Sequence, residues 1–290
     1  MQYFSQPVTD LIQQRFSCRK YSRDPIPNGL QLALRERMDL LRGNPHDPEM
    51  RFGLLAADGQ DGKALRGLGT YGFIQDASGF VVGALKAGKQ DLEAYGYRLE
   101  QIVLAATDLG LGTCWLGGTF NKSAFARKIA LQAGERIPAI LAIGLMDDET
   151  QARQGVIRQR VNGHKRIPWE ELFFDGDWCL PLAREHAGIY ATALEMVRVA
   201  PSASNKQPWR IVQMESAFHF YLQRTPGYRS LMTRLVRIDD MQRLDMGITM
   251  CHFELTAREL GLPGQWGSLD HGVVLPDDQI EYVTSWHLTN

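Results

Sequence analysis

Cysteines and long apolar runs are scarce in this chain. Its 290 residues include four cysteines, which lie far apart and form no Cys-x-x-Cys pair: Cys18, Cys114, Cys179 and Cys251. Scattered cysteines without a secretion signal indicate free thiols in a reducing compartment. No stretch approaches the ~18 apolar residues of a membrane-spanning helix, and the N-terminus has no uninterrupted apolar segment typical of a signal peptide. We therefore expect a cytoplasmic protein that has no membrane partner.

An excess of charge of either sign is also absent, because 32 Lys and Arg residues meet 33 Asp and Glu residues for a net charge of −1. Nothing draws the whole surface toward nucleic acid or an anionic membrane, so any basic site must be local. No metal-ligand spacing and no nucleophile signature is present. The chain thus offers little of its own for covalent or metal chemistry, although 44% hydrophobic residues suit a sizeable globular core.

The first half alternates helical and strand patterns. Asp91 to Leu109 has apolar residues at three- and four-residue steps, which predicts a helix, and Gly110 follows where a left-handed C-cap would sit. We expect a loop over 111–118, "LGTCWLGG". The apolar runs 79–85 and 137–146 predict buried strands.

The second half also mixes helix and strand. A helix is expected over 187–200, with Ile189, Ala193, Met196 and Val197 on one side. "WRIVQM" and "FHFYLQ" alternate as a hairpin around Glu215-Ser216. The fold class is therefore α+β, with sheets flanked by long helices.

One segment pattern occurs twice. Aligned on Trp115 and Trp266, "EQIVLAATDLGLGTCW" and "CHFELTARELGLPGQW" share Leu-Gly-Leu at 109–111 and 260–262. The offset is close to half the chain, which favours an ancient tandem duplication, although "ELGL" is also a common helix ending. We divide the chain into halves 1–175 and 176–290, which form one compact unit joined around 173–178.

Two glycine-containing segments resemble nucleotide-binding motifs. "GLGTYG" at 67–72 matches GxGxxG, but a turn and a strand follow it instead of the helix that a dinucleotide fingerprint needs. "GALKAGKQ" at 83–90 is nearly a phosphate loop that would use Lys89, but Gln90 lacks the hydroxyl that binds Mg²⁺. A phosphate-loop enzyme remains an alternative from a different reaction class.

Two basic clusters point to an anion. "RFSCRKY" contains Arg15 and Arg19, which share one face if the segment is helical, and guanidinium groups suit a phosphate. A solvated charged face is the alternative. The second cluster is Lys165-Arg166, and the two clusters together suggest one shared anion.

Two small-residue segments could lie against a ligand. Gly117-Gly118 is either a simple turn or a place where backbone N–H groups approach a planar ligand closely. The stretch "PSASN" at 201–205 offers short polar contacts, and the prolines around it stiffen the loop.

Four segments together resemble the signature segments of the FMN-dependent nitroreductase family: "RFSCRKY…PIP", "LGLGTCWLGG", "IPAILAIG…HKRIPWEELF" and "APSASNKQPWR". The strand in "QDASGFVVGA" is similar to the family strand that follows the segment at the flavin pyrimidine. The resemblance implies a nitroreductase-like fold with antiparallel-type sheets. In ordinary members two identical chains supply each FMN site, whereas here the Arg-Ser-Arg start lies in the first half and the Gln-Pro-Trp loop in the second.

This departure resembles the single-chain, internally duplicated branch of the family. It implies two degenerate copies packed as a pseudo-dimer and one FMN per chain. Such a pseudo-dimer is compatible with a monomer in solution, and the sequence leaves the oligomeric state open. The second site should be lost, because Met50-Arg51-Phe52 replaces Gln207-Pro208-Trp209.

The resemblance also assigns the site. The implied cofactor-binding residues are Arg15, Phe16, Ser17, Arg19, Thr70, Tyr71, Leu116, Gly117, Gly118, Lys165, Arg166, Pro201, Ser202, Ala203, Ser204 and Asn205. By this carry-over Arg15, Ser17, Lys165 and Arg166 hold the 5′-phosphate, and Arg19 lies near the flavin N1/O2 edge. Backbone N–H groups of 116–118 face N5 and O4.

The implied activity is hydride transfer from NADH or NADPH through flavin N5 to a nitroaromatic, quinone or related small-molecule acceptor. The flavin carries the chemistry, so no catalytic side chain is assigned. An FMN-binding carrier or regulator without turnover is the alternative within the same reading.

Overall fold

A computed structural model of the chain describes residues 4–41, 48–57, 65–147, 166–228, 238–268 and 275–289. The chain splits into two compact units, Met1–Val161 and Asn162–Asn290. This division falls earlier than the expected boundary between residues 175 and 176, because the strand Phe173–Asp175 pairs within the second sheet. A division into tandem copies at 175 stays a prediction.

The first unit combines helices with an antiparallel sheet. Its helices are α1 (Val8–Gln14), α2 (Asn28–Leu40), α3 (Asp91–Asp108) and α4 (Lys122–Lys128). Its strands are β1 (Met50–Ala56), β2 (Gly79–Lys86), β3 (Gly112–Leu116), β4 (Glu135–Arg136) and β5 (Ile140–Gly144). The order is β1-β2-β5-β3, with β4 beside β2.

Helix α3 confirms the pattern at 91–109. Its apolar face is buried, with Leu99 and Leu104 at 0% exposure, and acidic Asp91 and Glu93 in the first turn complement the helix dipole. Gly110 follows with φ +75°, the left-handed conformation that glycine adopts without penalty. The buried apolar face thus accounts for helix α3, and the left-handed glycine accounts for the place where it ends.

The loop expected over 111–118 is wrong for its first part, because Gly112–Leu116 is the edge strand β3 and pairs with β5. A Cβ on Gly112 would lie 2.9 Å from Cys18 Sγ. The glycine therefore serves the close approach of another segment and does not mark a turn. The strand expected over 137–146 is confirmed but shorter, at Ile140–Gly144.

The second unit has the helices α5 (Arg184–Ala187), α6 (Ala191–Arg198) and α7 (Met241–Glu259). Its strands are β6 (Phe173–Asp175), β7 (Trp209–Met214), β8 (Ala217–Gln223), β9 (Gly264–Gly267) and β10 (Ile280–Leu288). The order is β6-β7-β8-β10-β9. Only the β6–β7 pair is parallel among these described strands. No described helix in either unit is long and apolar enough to cross a membrane.

The helix expected over 187–200 is interrupted. Gly188 ends α5 at φ +54°, and a 3₁₀ turn precedes α6. Because the helical phase changes there, Ile189 is 70% exposed, whereas Ala193 and Val197 are fully buried. The hairpin around 215–216 is confirmed by the β7–β8 pairing.

The two units share a strand order. In each, two antiparallel strands are followed by one long helix and then by two strands of the shared order, which reads β1-β2-β5-β3 in the first unit and β7-β8-β10-β9 in the second. Strands β4 and β6 are additional to this order. Trp115 in β3 donates its indole N–H to Glu100 of α3 at 2.9 Å. Trp266 in β9 donates to Glu254 of α7 at 2.7 Å. The aligned tryptophans therefore occupy corresponding strands and make the same kind of bond.

Candidate functional site

The segment after α1 is extended and runs along β3. Ser17 bridges to Thr113, and Cys18 N–H donates to Thr113 O at 2.8 Å. The segment is therefore not helical, so Arg15 and Arg19 do not share one helical face. In extended chain alternate side chains share a side, and Cys18 is buried while Ser17 and Arg19 are exposed.

The turn 67–76 joins this segment to the end of β3. Gln75 N–H donates to Arg19 O at 2.9 Å, and Asn121 N–H donates to Gly69 O at 3.0 Å. Three segments that are far apart in the sequence thus become neighbours within the first unit. They carry the predicted site residues at 15–19, 70–71 and 116–118.

These residues differ in what they present to a ligand. Tyr71 is 69% exposed at φ +49°, and Thr70 is half-buried. Gly117-Gly118 forms a half-buried bend after β3. Leu116 is buried and Phe16 packs against a core cluster. Leu116 and Phe16 therefore shape the segment chiefly through packing.

Arg15 points into the unit. Its side chain is 8% exposed and its Nε lies 3.9 Å from the buried Glu100 carboxylate, whose other oxygen accepts the Trp115 N–H. Burial lowers the pKa of the Arg15 guanidinium, and the Glu100 charge opposes that shift. Of the two arginines in the motif, Arg19 is the one exposed to solvent.

Two buried thiols line this region, and the sequence patterns did not point to them. Burial raises the pKa of Cys18 to about 12. Burial also raises the pKa of Cys114, although the nearby Arg19 cation opposes the shift. Both side chains are therefore neutral thiols at physiological pH, which suits packing and not nucleophilic chemistry.

In the second unit, the loop 201–207 has a strained backbone. Ser204, Asn205 and Gln207 have φ values of +50°, +55° and +49°. Each non-glycine residue in this region costs about 1–3 kcal/mol, and such strain persists where the surroundings over-determine it, commonly at functional sites.

Arg166 holds the start of this strained loop and the side chain of Asn205 within it. Its Nη1 donates to Ala200 O at 2.8 Å and to Asn205 Oδ1 at 3.0 Å, and its Nη2 donates to Val199 O at 2.9 Å. The structure thus gives Arg166 a role in the loop itself. Its neighbour Lys165 lies outside the described residues.

Side chains from other segments fix the rest of the loop. Gln207 accepts the Ile167 N–H at 2.9 Å, and its own N–H donates to Ser202 Oγ at 2.9 Å. Ala203 N–H donates to the buried carboxylate of Asp245 at 3.0 and 3.2 Å. Pro201 is half-buried, whereas Ser204 and Asn205 are exposed. Asp245 is a contributor that no sequence motif indicated.

In the segment 83–90, which the phosphate-loop alternative uses, a backbone N–H is bonded to a carboxylate of the protein itself. Gly88 N–H donates to Asp91 Oδ2 at 3.0 Å, and Arg136 pairs with the same oxygen at 2.7 Å. The GxGxxG segment 67–72 leads through further turns into β2 and not into a helix. Within the described part of the chain, no group of three His, Cys, Asp or Glu side chains is placed to hold a metal.

Comparison with known proteins agrees with this architecture. The family model described as "Putative TM nitroreductase" matches residues 7–257. A crystal structure of a "putative nitroreductase" from Thermotoga maritima MSB8 has a TM-score of 0.57 at 19% identity and covers 98% of this chain and 94% of that one. This likeness shows the nitroreductase fold. No curated protein matches the chain.

Two further structures align with about half of this chain. A nitroreductase family protein from Clostridium difficile 630 has 18% identity, a TM-score of 0.42 and coverage of 56% here and 94% there. A "putative nitroreductase" in complex with FMN from Desulfovibrio desulfuricans has 23% identity, a TM-score of 0.40 and coverage of 58% and 95%. The fold assignment rests on the Thermotoga structure, and the family assignment on the 7–257 match. By that match this chain belongs to the family described as "Putative TM nitroreductase".

Proposed function

We propose that the chain is an FMN-dependent oxidoreductase of nitroreductase type, which takes a hydride from NADH or NADPH and reduces a nitroaromatic, quinone or related small molecule. The observation that carries this proposal is the meeting of segments 15–19, 70–71 and 113–118 in the first unit. Family membership supports it independently.

The available groups suit FMN. Ser17 and Arg19 offer an exposed hydroxyl and cation, and Gly117-Gly118 offers half-buried backbone next to them. Charge-assisted bonds from such groups suit a phosphate or an electron-rich flavin edge. Ser204 and Asn205, which are exposed in the strained loop, are proposed as further polar contacts to FMN.

Within this proposal the protein supplies position and electrostatics. FMN supplies the two-electron chemistry when it is bound. Arg19 places a positive charge at the cofactor, and Ser17, Arg15, Lys165 and Arg166 are proposed for the 5′-phosphate. In the structure Arg15 faces Glu100 and Arg166 holds the loop carbonyls, so we expect Ser17 and Arg19 to make the more direct contacts.

We further propose that the halves are degenerate tandem copies arranged as a pseudo-dimer, with one FMN per chain, in a monomeric cytoplasmic enzyme. The shared strand order of the two sheets supports the duplication, as do the matching Trp115 and Trp266 bonds. Cys18, Cys114, Cys179 and Cys251 are free thiols, which suits a reducing cytoplasm.

The test is the visible absorption spectrum of the purified protein with added FMN, before and after anaerobic addition of NADH or NADPH. Flavin bands at about one FMN per chain that bleach with either nucleotide are the expected result. Bands that persist with both nucleotides would instead favour the FMN-binding protein without turnover. Failure to bind FMN would overturn the proposal.

A further inference from the structure

Asp245 anchors the middle of the strained loop. The two ends are held by Arg166 and by Gln207 with Ile167. Between them, Ala203 N–H donates to both carboxylate oxygens of Asp245, which lies in the second turn of α7. A loop with three positive φ angles needs such restraint.

Burial of the Asp245 carboxylate is unfavourable for a bond that serves structure alone. Asp245 is 3% exposed, and a buried carboxylate with few donors is unfavourable unless it is neutralised. Among the described residues its hydrogen-bond donor is Ala203 N–H alone. Burial raises the pKa of Asp245 well above its ordinary value, and the Ala203 bond only partly opposes this. Buried ionisable groups of this kind cluster at functional sites.

We propose that Asp245 is a positioning residue for the FMN site, which holds the backbone at Ala203 and thereby sets the orientation of Ser204 and Asn205. The inference rests on the FMN function proposed above. Asp245 touches the loop backbone and acts through it.

The experiment measures the FMN dissociation constant by quenching of flavin fluorescence, alongside thermal unfolding of the apoprotein. Asp245→Ala removes the acceptor and is expected to weaken FMN binding about tenfold, which is within the usual scale for the loss of one hydrogen bond. Asp245→Asn retains an oxygen that accepts the Ala203 N–H, so its affinity should stay within about threefold of wild type.

A second variant removes the donor instead of the acceptor. Ser202 is extended at φ −147° and ψ 159°, which suits a residue before proline, and Ala203 is the first residue of a 3₁₀ turn. Ala203→Pro should therefore fold and lose about as much affinity as Asp245→Ala. The double variant should be no weaker than either single one, because one bond is removed in each. This variant also carries the test if Asp245→Ala does not fold.

The matched control is Glu254→Gln on the same helix. Glu254 is a buried carboxylate that binds Trp266 and Arg258. It should lower the unfolding temperature and leave FMN affinity unchanged. Wild-type affinity in folded Asp245→Ala or Ala203→Pro, or strong additivity in the double variant, would overturn the positioning role. Absence of FMN binding by wild type would instead overturn the proposed function.

Discussion

Two arginines of one short motif have different surroundings. Arg15 is enclosed beside Glu100, whereas Arg19 is exposed next to the Gly69–Gln75 turn, with its own carbonyl bonded to Gln75 N–H. An enclosed, paired cation contributes to packing, and an exposed one can approach a ligand. The structure therefore gives Arg15 a role in packing, and Arg19 is the arginine that we propose for binding.

Arg19→Ala should weaken FMN binding by about 10- to 100-fold, because a charge-assisted hydrogen bond is worth about 1.5–3 kcal/mol. The fold should persist, since the Arg19 contact with Gln75 is made by the backbone. The measurement is FMN titration followed by flavin fluorescence. Arg23→Ala is the control, because Arg23 is a nearby arginine with an 89% exposed side chain paired to Asp76. Equal affinities for the two variants would contradict the assignment of Arg19.

Gly83 in β2 gives a residue-scale prediction about stability. A Cβ there would collide with the rings of Phe52 and Tyr95, and the Tyr95 hydroxyl is already committed to Ala139 O at 2.6 Å. Gly83→Ala should destabilise the protein by about 1–3 kcal/mol through overpacking. Urea unfolding would measure this.

Gly29→Ala is the matched control for Gly83→Ala. Gly29 lies in the first turn of α2 with nothing within 4 Å of its Cβ position, so alanine should stabilise the helix or leave it unchanged. If both substitutions shifted the unfolding midpoint alike, the crowding around Gly83 would not be the cause.

At the scale of elements, one carboxylate ties the N-terminal segment and α2 to the end of α3. Asp108 accepts hydrogen bonds from Ser5 N and Oγ at 2.8 and 2.7 Å, and Arg37 of α2 donates to it at 2.5 Å. Burial alone would raise the pKa of Asp108, but the bonds from Ser5 and Arg37 hold it below its ordinary value.

This lowered pKa makes the contribution of Asp108 dependent on pH. A carboxyl whose folded-state pKa is depressed stabilises the fold above its unfolded-state pKa, and the gain is lost as pH falls through the folded-state value. Asp108→Asn should therefore cost about 1–3 kcal/mol at pH 7 and progressively less below about pH 4. Urea unfolding of both proteins across this range measures the difference.

The exposed Asp278, which accepts a hydrogen bond from the amide of its neighbour Gln279, supplies the control. Asp278→Asn should show a small effect at every pH. A cost of Asp108→Asn that stayed constant down to pH 3 would mean that Asp108 acts through shape and not through charge.

Elements with a strong apolar pattern were predictable from sequence. Helix α3 follows its three- and four-residue apolar period, and strands β2 and β8 are buried on both faces along most of their length, so their apolar runs identify them. Strand β7 also lies where its pattern predicts. The loop predicted over 111–118 from its glycines is wrong in its first part for a physical reason. Gly112 belongs to a strand, and its missing side chain makes room for Cys18, which lies far away in the sequence.

Non-local contacts set the limits of prediction for the candidate site as well. The segment 15–21 is extended because it pairs with Thr113, Gln75 and Met146, which no local pattern reveals. Local composition did single out the loop 201–205. Its strain and its anchor Asp245 depend on tertiary contacts, so sequence alone could not provide them.

At the scale of the whole molecule, the two units share a strand order but differ where the second site would be. In the second unit the segment before β7 forms the strained loop 201–207. In the first unit Arg51 stands where the second unit has Pro208. Its guanidinium donates to the Glu135 carboxylate at 2.9 and 2.7 Å and to the carbonyls of Ile129 and Ala130. That cation is therefore used for packing of the first unit.

This asymmetry predicts one FMN per chain. Flavin bound per chain at saturation, with protein determined separately, should reach about one, since Arg51, which stands where the second unit has Pro208, is committed to Glu135. Arg19→Ala then tests whether the sites are one or two: at FMN concentrations near the wild-type dissociation constant, a single site should lose nearly all bound flavin, whereas two independent sites would retain about half. A stoichiometry of two, or a residual half occupancy in Arg19→Ala, would show that the first unit also builds a complete site despite the commitment of Arg51 to Glu135.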